Sequence, residues 1–105
     1  MSIKKALRTS LAAAAVALAW PAAQAQVSDG VIKIGVLSDM SSLYTDIAGR
    51  GSELAARMAV EDFGAAAKGM KVEIVSADHQ NKPDVGSQIA NQWYDVDKVD
   101  VIVDV

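Results

Sequence analysis

The side chains best suited by type to do chemistry lie together in Ser38-Asp39-Met40-Ser41-Ser42-Leu43-Tyr44, where an apolar run ends in hydroxyls, a carboxylate and a phenol. Serine hydroxyls beside the free N–H groups of a helix start hold a carboxylate or another anion without a formal positive charge. A tyrosine at the same place packs its ring on an apolar part of a ligand and still offers its hydroxyl. The chemistry indicated is binding, by the hydroxyls and amides of this segment and by Tyr44. The same residue types also build an ordinary turn, with Ser41 or Ser42 shaping it and Thr45 or Asp46 capping the next helix. Position favours binding, because functional residues concentrate on loops held by a rigid sheet.

Other motifs fall short of a catalytic or cofactor site. Gly49-Arg50-Gly51-Ser52 lacks the lysine and spacing of a phosphate loop, and Ser38-Asp39-Met40 stands where a dinucleotide fingerprint needs glycines. Gly49 and Gly51 are read instead as sites where a helix approaches the sheet. His79, the single histidine, has Asp78 and Gln80 beside it, but no ligand set at metal spacing and no G-x-S-x-G elbow accompanies it. It is expected to be an exposed loop residue. Trp93 is expected in the core and Tyr94 at its edge. Asp100 and Asp104 are unusual in an apolar strand; Asp100 is expected to reach solvent and Asp104 to approach the carboxyl end. No catalytic residue, cofactor or metal is assigned.

The elements that must position these residues follow from periodicity. Val31 to Leu37 is a β-branched run, consistent with a strand buried on both faces. From about Asp46 the period becomes helical: Ile47, Gly51, Leu54, Ala55, Met58, Ala59 and Phe63 share one face, and Arg50, Glu53, Arg57 and Glu61 the other. Opposite charges four residues apart, Glu53 to Arg57 and Arg57 to Glu61, support that helix, and Gly69 suits its stop. Lys71 to Asp78 alternates as an edge strand does. Pro83 suits the first turn of a second helix, on which Val85, Ile89, Ala90, Trp93 and Val96 share a face. Val99 to Val105 is a third strand.

Strand, helix, strand, helix, strand predicts an α/β fold: a three-layer αβα lobe with a parallel sheet and right-handed crossovers. In such sheets the ligand crevice lies beyond the carboxyl ends of the strands, where the strand order reverses. For the order 2-1-3 that point falls between the first and third strands, which places Ser38 to Tyr44 at the crevice.

Residues 1–25 are set apart. Lys4, Lys5 and Arg8 precede a ten-residue apolar segment from Leu11 to Trp20, then Pro21 and Ala23-Gln24-Ala25. This is the form of a cleaved export signal, cut between Ala25 and Gln26, and the apolar part is half of the roughly 20 residues a membrane span needs. The chain has no cysteine, which excludes disulfides, thiolate chemistry and a lipid-modified N-terminal cysteine. Without the leader, seven Lys and Arg face 13 Asp and Glu, a net charge of −6 that argues against nucleic acid and anionic membranes. Val99 to Val105 ends in mid-run with no turn, so residues 26–105 are expected to be the incomplete N-terminal lobe of a larger ligand-binding domain.

Three blocks carry a resemblance: IKIGVLSDMSSLYTDIAGRGSELAARMAVEDFG (Ile32 to Gly64), KVEIVSADHQNKPDVGSQIANQW (Lys71 to Trp93) and DVDKVDVIVDV (Asp95 to Val105). Together they resemble the start of a periplasmic substrate-binding protein of ABC importers, of the leucine-binding type. The resemblance implies a two-lobed type I periplasmic binding protein that closes on an amino acid, amide or aromatic acid. It implies delivery to an ABC permease and its ATPases, and a monomeric full-length receptor. It matches Ser41, Ser42 and Tyr44 to the family's ligand contacts, with Asp39 and Met40 as wall residues. A secreted α/β enzyme and a sensor of the same fold are the alternatives; the enzyme requires a nucleophile, metal set or cofactor motif that the visible residues lack, and the export signal opposes a cytoplasmic sensor.

Overall fold

The computed structural model describes residues 29–105; the expected leader and the expected cut between Ala25 and Gln26 lie outside them. In chain order the elements are β1 (Ile32–Ser38), α1 (Arg50–Phe63), β2 (Val72–Asp78), α2 (Pro83–Asp95) and β3 (Val101–Val103). The strands form one parallel sheet in the order β2-β1-β3, with Gly35 level with Val75 on one side and Ile102 on the other. The predicted topology holds, and β1 is the central strand because both later strands pair with it.

Alternation along β1 divides the sheet into two faces. Leu37 meets Trp93 of α2 and Val99 in a buried cluster, with Val75, Ala77, Ile89, Ala90 and Ile102 around it. Gly35 lies under the same indole: a Cβ there would overlap the Trp93 ring, so only glycine lets α2 settle at this depth. Ile32, Ile34, Val72 and Val103 line the opposite face with Ala56, Val60 and Phe63 of α1.

The rotation of α1 differs from the expected one. Leu54 and Met58 are exposed, as is Ile47 ahead of the helix, whereas Ser52, Glu53, Ala56 and Val60 are half-buried. The helix carries apolar residues on two arcs, and the arc with small Ala56 is the one that seats on the sheet. Glu53 lies on the seated side, where hydrogen bonds with Arg57 and with Ser76 of β2 lower its pKa. The Glu53–Arg57 ion pair, at 2.8 Å, is present as expected.

The boundaries of α1 are set by glycines. Residues 41–48 are turns, so α1 begins at Arg50 rather than near Asp46. Gly49 enters it at φ 59°, with no side-chain cap, and Thr45 donates its hydroxyl to the Ser42 carbonyl instead. Gly64 closes the helix in the left-handed region and donates its N–H to the Glu61 carbonyl, earlier than the expected stop at Gly69. Pro83 opens α2 as predicted. β3 is shorter than the apolar run, because Val99 is buried in the core with its N–H on the Trp93 carbonyl, and Asp104 has a φ of 59°. Among the described residues, no helix is long and apolar enough to cross a membrane.

Candidate functional site

The segment from Asp39 to Gly49 leaves the carboxyl end of β1 and crosses to α1 on the opposite face from α2. One side chain organises its first half. Asp39 is 2% exposed, and its carboxylate accepts N–H groups from Ser41 at 3.3 Å, Ser42 at 2.9 Å and Tyr44 at 2.9 Å. It also accepts the Ser42 hydroxyl at 2.6 Å. Burial alone would raise the pKa of this carboxyl, but the Ser42 hydroxyl and the three amides outweigh it and hold the group at about 2. Asp39 is therefore an anion at neutral pH, enclosed by its own loop.

Neighbouring strands add two further carboxylates. Asp78, at the end of β2, accepts the Met40 N–H at 2.9 Å and the Gln80 N–H at 2.7 Å. The Ser41 hydroxyl is the largest cause of its lowered pKa, followed by the Met40 amide; burial and the charge of Asp39 act against the shift. Beyond β3, Asp104 accepts the hydroxyl of Ser38 at 3.1 Å, and the same buried Ser38 oxygen accepts the Gly49 N–H at 3.1 Å. Ser38 thus ties the start of the loop, its far end and the third strand together. Gly49 must be glycine twice over, since its φ is positive and a Cβ would stand 2.7 Å from the Asp39 carbonyl oxygen.

The predicted site residues are now placed. Ser41, Ser42 and Tyr44 are exposed on the loop, and the Tyr44 ring stands 45% open beside Leu43 at 76%. Their amides, however, point inward to Asp39, and the hydroxyls of Ser42 and Ser41 are engaged by Asp39 and Asp78. Asp39 lies beneath the loop and Met40 is half-buried between it and Asp78. Sequence reasoning centred on the hydroxyls and missed Asp39 as the hub. The available cue was an aspartate followed by residues whose N–H groups lie two and three positions on, the local pattern that Asp side chains capture.

Two other expectations are corrected. Asp100 does not simply reach solvent: its carboxylate accepts the Lys33 N–H at 2.8 Å, and its own N–H binds the Lys33 carbonyl, because β3 enters the sheet alongside Lys33. His79 is only half-exposed; its N–H binds the Ser38 carbonyl and its Nδ1 accepts the Asn81 N–H at 2.9 Å, so the ring holds a tight turn. An apolar cleft of about 610 Å³ adjoins it, bounded by Leu37, Pro83, Tyr94, Ile102 and Val105, on the face of α2. Ser41, Ser42 and Tyr44 do not line that cleft. Among the described residues, no group of His, Asp and Glu is arranged to hold a metal ion.

A parallel sheet with a helix on each face and a polar loop at its carboxyl edge is the architecture in which open α/β sheets generally meet their ligands beyond the strand ends. The chain belongs to the periplasmic binding protein family, whose profile matches residues 31–105. It is similar to the crystal structure of a branched-chain amino acid ABC transporter periplasmic ligand-binding protein from Burkholderia xenovorans LB400, at 53% identity and a TM-score of 0.66. A periplasmic binding protein from Burkholderia mallei is similar at 45% identity and a TM-score of 0.65. Each match covers 70% of this chain and 20% of the other, so the chain corresponds to about a fifth of these relatives. No curated protein matches it.

Proposed function

We propose that this chain is the opening part of a periplasmic solute receptor, exported by a leader cleaved between Ala25 and Gln26. In this reading residues 26–105 begin the first of two lobes, which close on a small amino-acid-like or carboxylate ligand and deliver it to an ABC permease and its ATPases. The receptor is not a catalyst; it works by binding and closure. The observation that carries the reading is the ordered loop at the carboxyl edge of β1, in a chain of the periplasmic binding protein family. Ser42 and Tyr44 form its exposed wall, with Ser41 and Met40 held from beneath by Asp78. The likeness to a branched-chain amino acid transporter component makes leucine, isoleucine and valine the first ligands to try.

A thermal-shift screen of the full-length receptor over branched-chain amino acids, their amides and aromatic acids tests this. A ligand at 100 times its dissociation constant adds about 2.7 kcal/mol to stability, a readily measured rise in Tm. Tyr44→Ala is expected to reduce that rise while leaving the unliganded Tm in place. A screen in which no compound moves the transition would overturn the ligand class.

A further inference from the structure

The loop after β1 has the geometry of an anion-binding nest: N–H groups of Ser41, Ser42 and Tyr44 and the Ser42 hydroxyl all converge on one carboxylate. Converging backbone amides of this kind commonly receive an external anion. Here the anion comes from within the chain. We propose that Asp39 is a positioning residue, a built-in anion that fills the nest of its own loop and so fixes the pose in which Ser42 and Tyr44 are presented to the crevice.

Three observations converge on this role. The Asp39 side chain is buried at 2% exposure, so it cannot be a contact for a ligand arriving from solvent. Its acceptor positions are matched by four donors from a six-residue segment, so its removal would leave three amides and a hydroxyl without their shared partner. The residues it fixes are themselves exposed, Tyr44 at 45%; the buried charge thus orders a surface that packing alone does not hold. With the nest filled, the amides of Ser41, Ser42 and Tyr44 are not free to hold a ligand's carboxylate. The rim instead offers the lone pairs of the Ser41 and Ser42 hydroxyls and the phenol and ring of Tyr44. These suit the N–H-bearing or apolar end of a ligand, and the anion site first suggested by the serines is satisfied internally.

Amide hydrogen exchange resolved by residue, with formate as the probe, tests the role directly. In Asp39→Ala, the amides of Ser42 and Tyr44 are expected to exchange about tenfold faster, the scale of losing a charge-assisted hydrogen bond, while Val36 and Leu37 in β1 keep their protection. Millimolar formate, which supplies the missing carboxylate, is expected to restore protection at those two amides saturably. Should Asp39→Ala fail to fold, Asp39→Asn serves: its amide nitrogen turns donors toward part of the nest, so at least one of the two amides loses protection. Unchanged exchange at Ser42 and Tyr44 in a folded variant, or no response to formate in Asp39→Ala, would overturn the proposal. A second arm rests on the receptor reading: affinity for L-leucine or benzoate, whichever the wild-type receptor binds, should fall in Asp39→Ala and recover with formate. A wild type that binds neither defeats the ligand class alone, because the exchange arm still decides the role of Asp39.

Discussion

β1 is held at its middle by shape and at its carboxyl end by charge, and the two regions respond differently to damage. Around Gly35 the indole of Trp93 fills the space where a side chain would stand, and Leu37, Val99 and Ile102 close around it. Beyond Ser38 the backbone is irregular, and amides there are satisfied by the carboxylates of Asp39 and Asp78 and by the Ser38 hydroxyl. Packing of the first kind joins strands and a helix from distant parts of the chain, so its loss spreads. Hydrogen bonding of the second kind is mostly local, so its loss frees a loop and leaves the sheet standing.

The largest effects should come from the shape-held region. Trp93→Ala is expected to cost about 3–5 kcal/mol, the range for deleting a buried aromatic, read from the urea midpoint at constant slope. Gly35→Ala is expected to cost about 1–3 kcal/mol by overpacking against the same ring. Combining Gly35→Ala with Trp93→Leu should cost less than the sum of the two, since the smaller side chain makes room for the new methyl. Additive costs would break the assignment of Gly35 to the indole.

Sequence alone carried the topology but not these partnerships. The order of strands and helices was legible because hydrophobic period and turn residues are local properties. Trp93 was legible as a core residue, yet its need for glycine at position 35 was not, because the contact spans 58 residues and depends on how deep α2 sits. The facing of α1 differs from the expected one since two apolar arcs compete on it, and which of them meets Ile32, Ile34 and Val72 depends on the sheet it packs against. Asp100 and Asp104 made sense only once the register of β3 against β1 was fixed. In the candidate site the loop was found by its residue types, whereas the direction of its amides, inward to Asp39, needed the fold.

Intermediate effects sharpen the boundary between the regions. Ser38→Ala leaves the buried Gly49 N–H without its acceptor, and Asp100→Ala does the same to the Lys33 N–H. Ser38→Ala is expected to cost about 1–3 kcal/mol, the penalty for an unmatched buried donor, and Asp100→Ala about 1 kcal/mol, since the Lys33 N–H is only part-buried. The two should differ in where the loss appears. Asp100→Ala should speed exchange where β1 and β3 enter their pairing, at Lys33 and Asp100. Ser38→Ala should speed it at Gly49 and leave Lys33 protected. A uniform loss across both ends of β1 would show that the lobe responds as one unit, against the separation drawn above.

The smallest effect is confined to the loop and appears in acid. Asp39 has its carboxyl lowered from 3.8 to about 2 in the folded chain, so the folded state binds its proton less readily than the unfolded state does. Its contribution to stability is then fully present above pH 4 and is lost as pH falls from about 4 toward 2. Asp78 and Glu53 are shifted in the same direction and add to the loss in acid. Over the neutral range, none of these three carboxylates should make stability depend on pH. The amide proton shifts of Ser42 and Tyr44 should follow a common titration with a midpoint near 2, whereas Gly35 and Leu37, in the shape-held region, should stay still until the lobe itself unfolds. Asp39→Asn should remove that shared titration. If Ser42 and Tyr44 instead titrated apart, or near the ordinary carboxyl value of 3.8, the enclosed anion would not be what orders them, and the contrast between charge-held loop and shape-held core would fail at its own test residue.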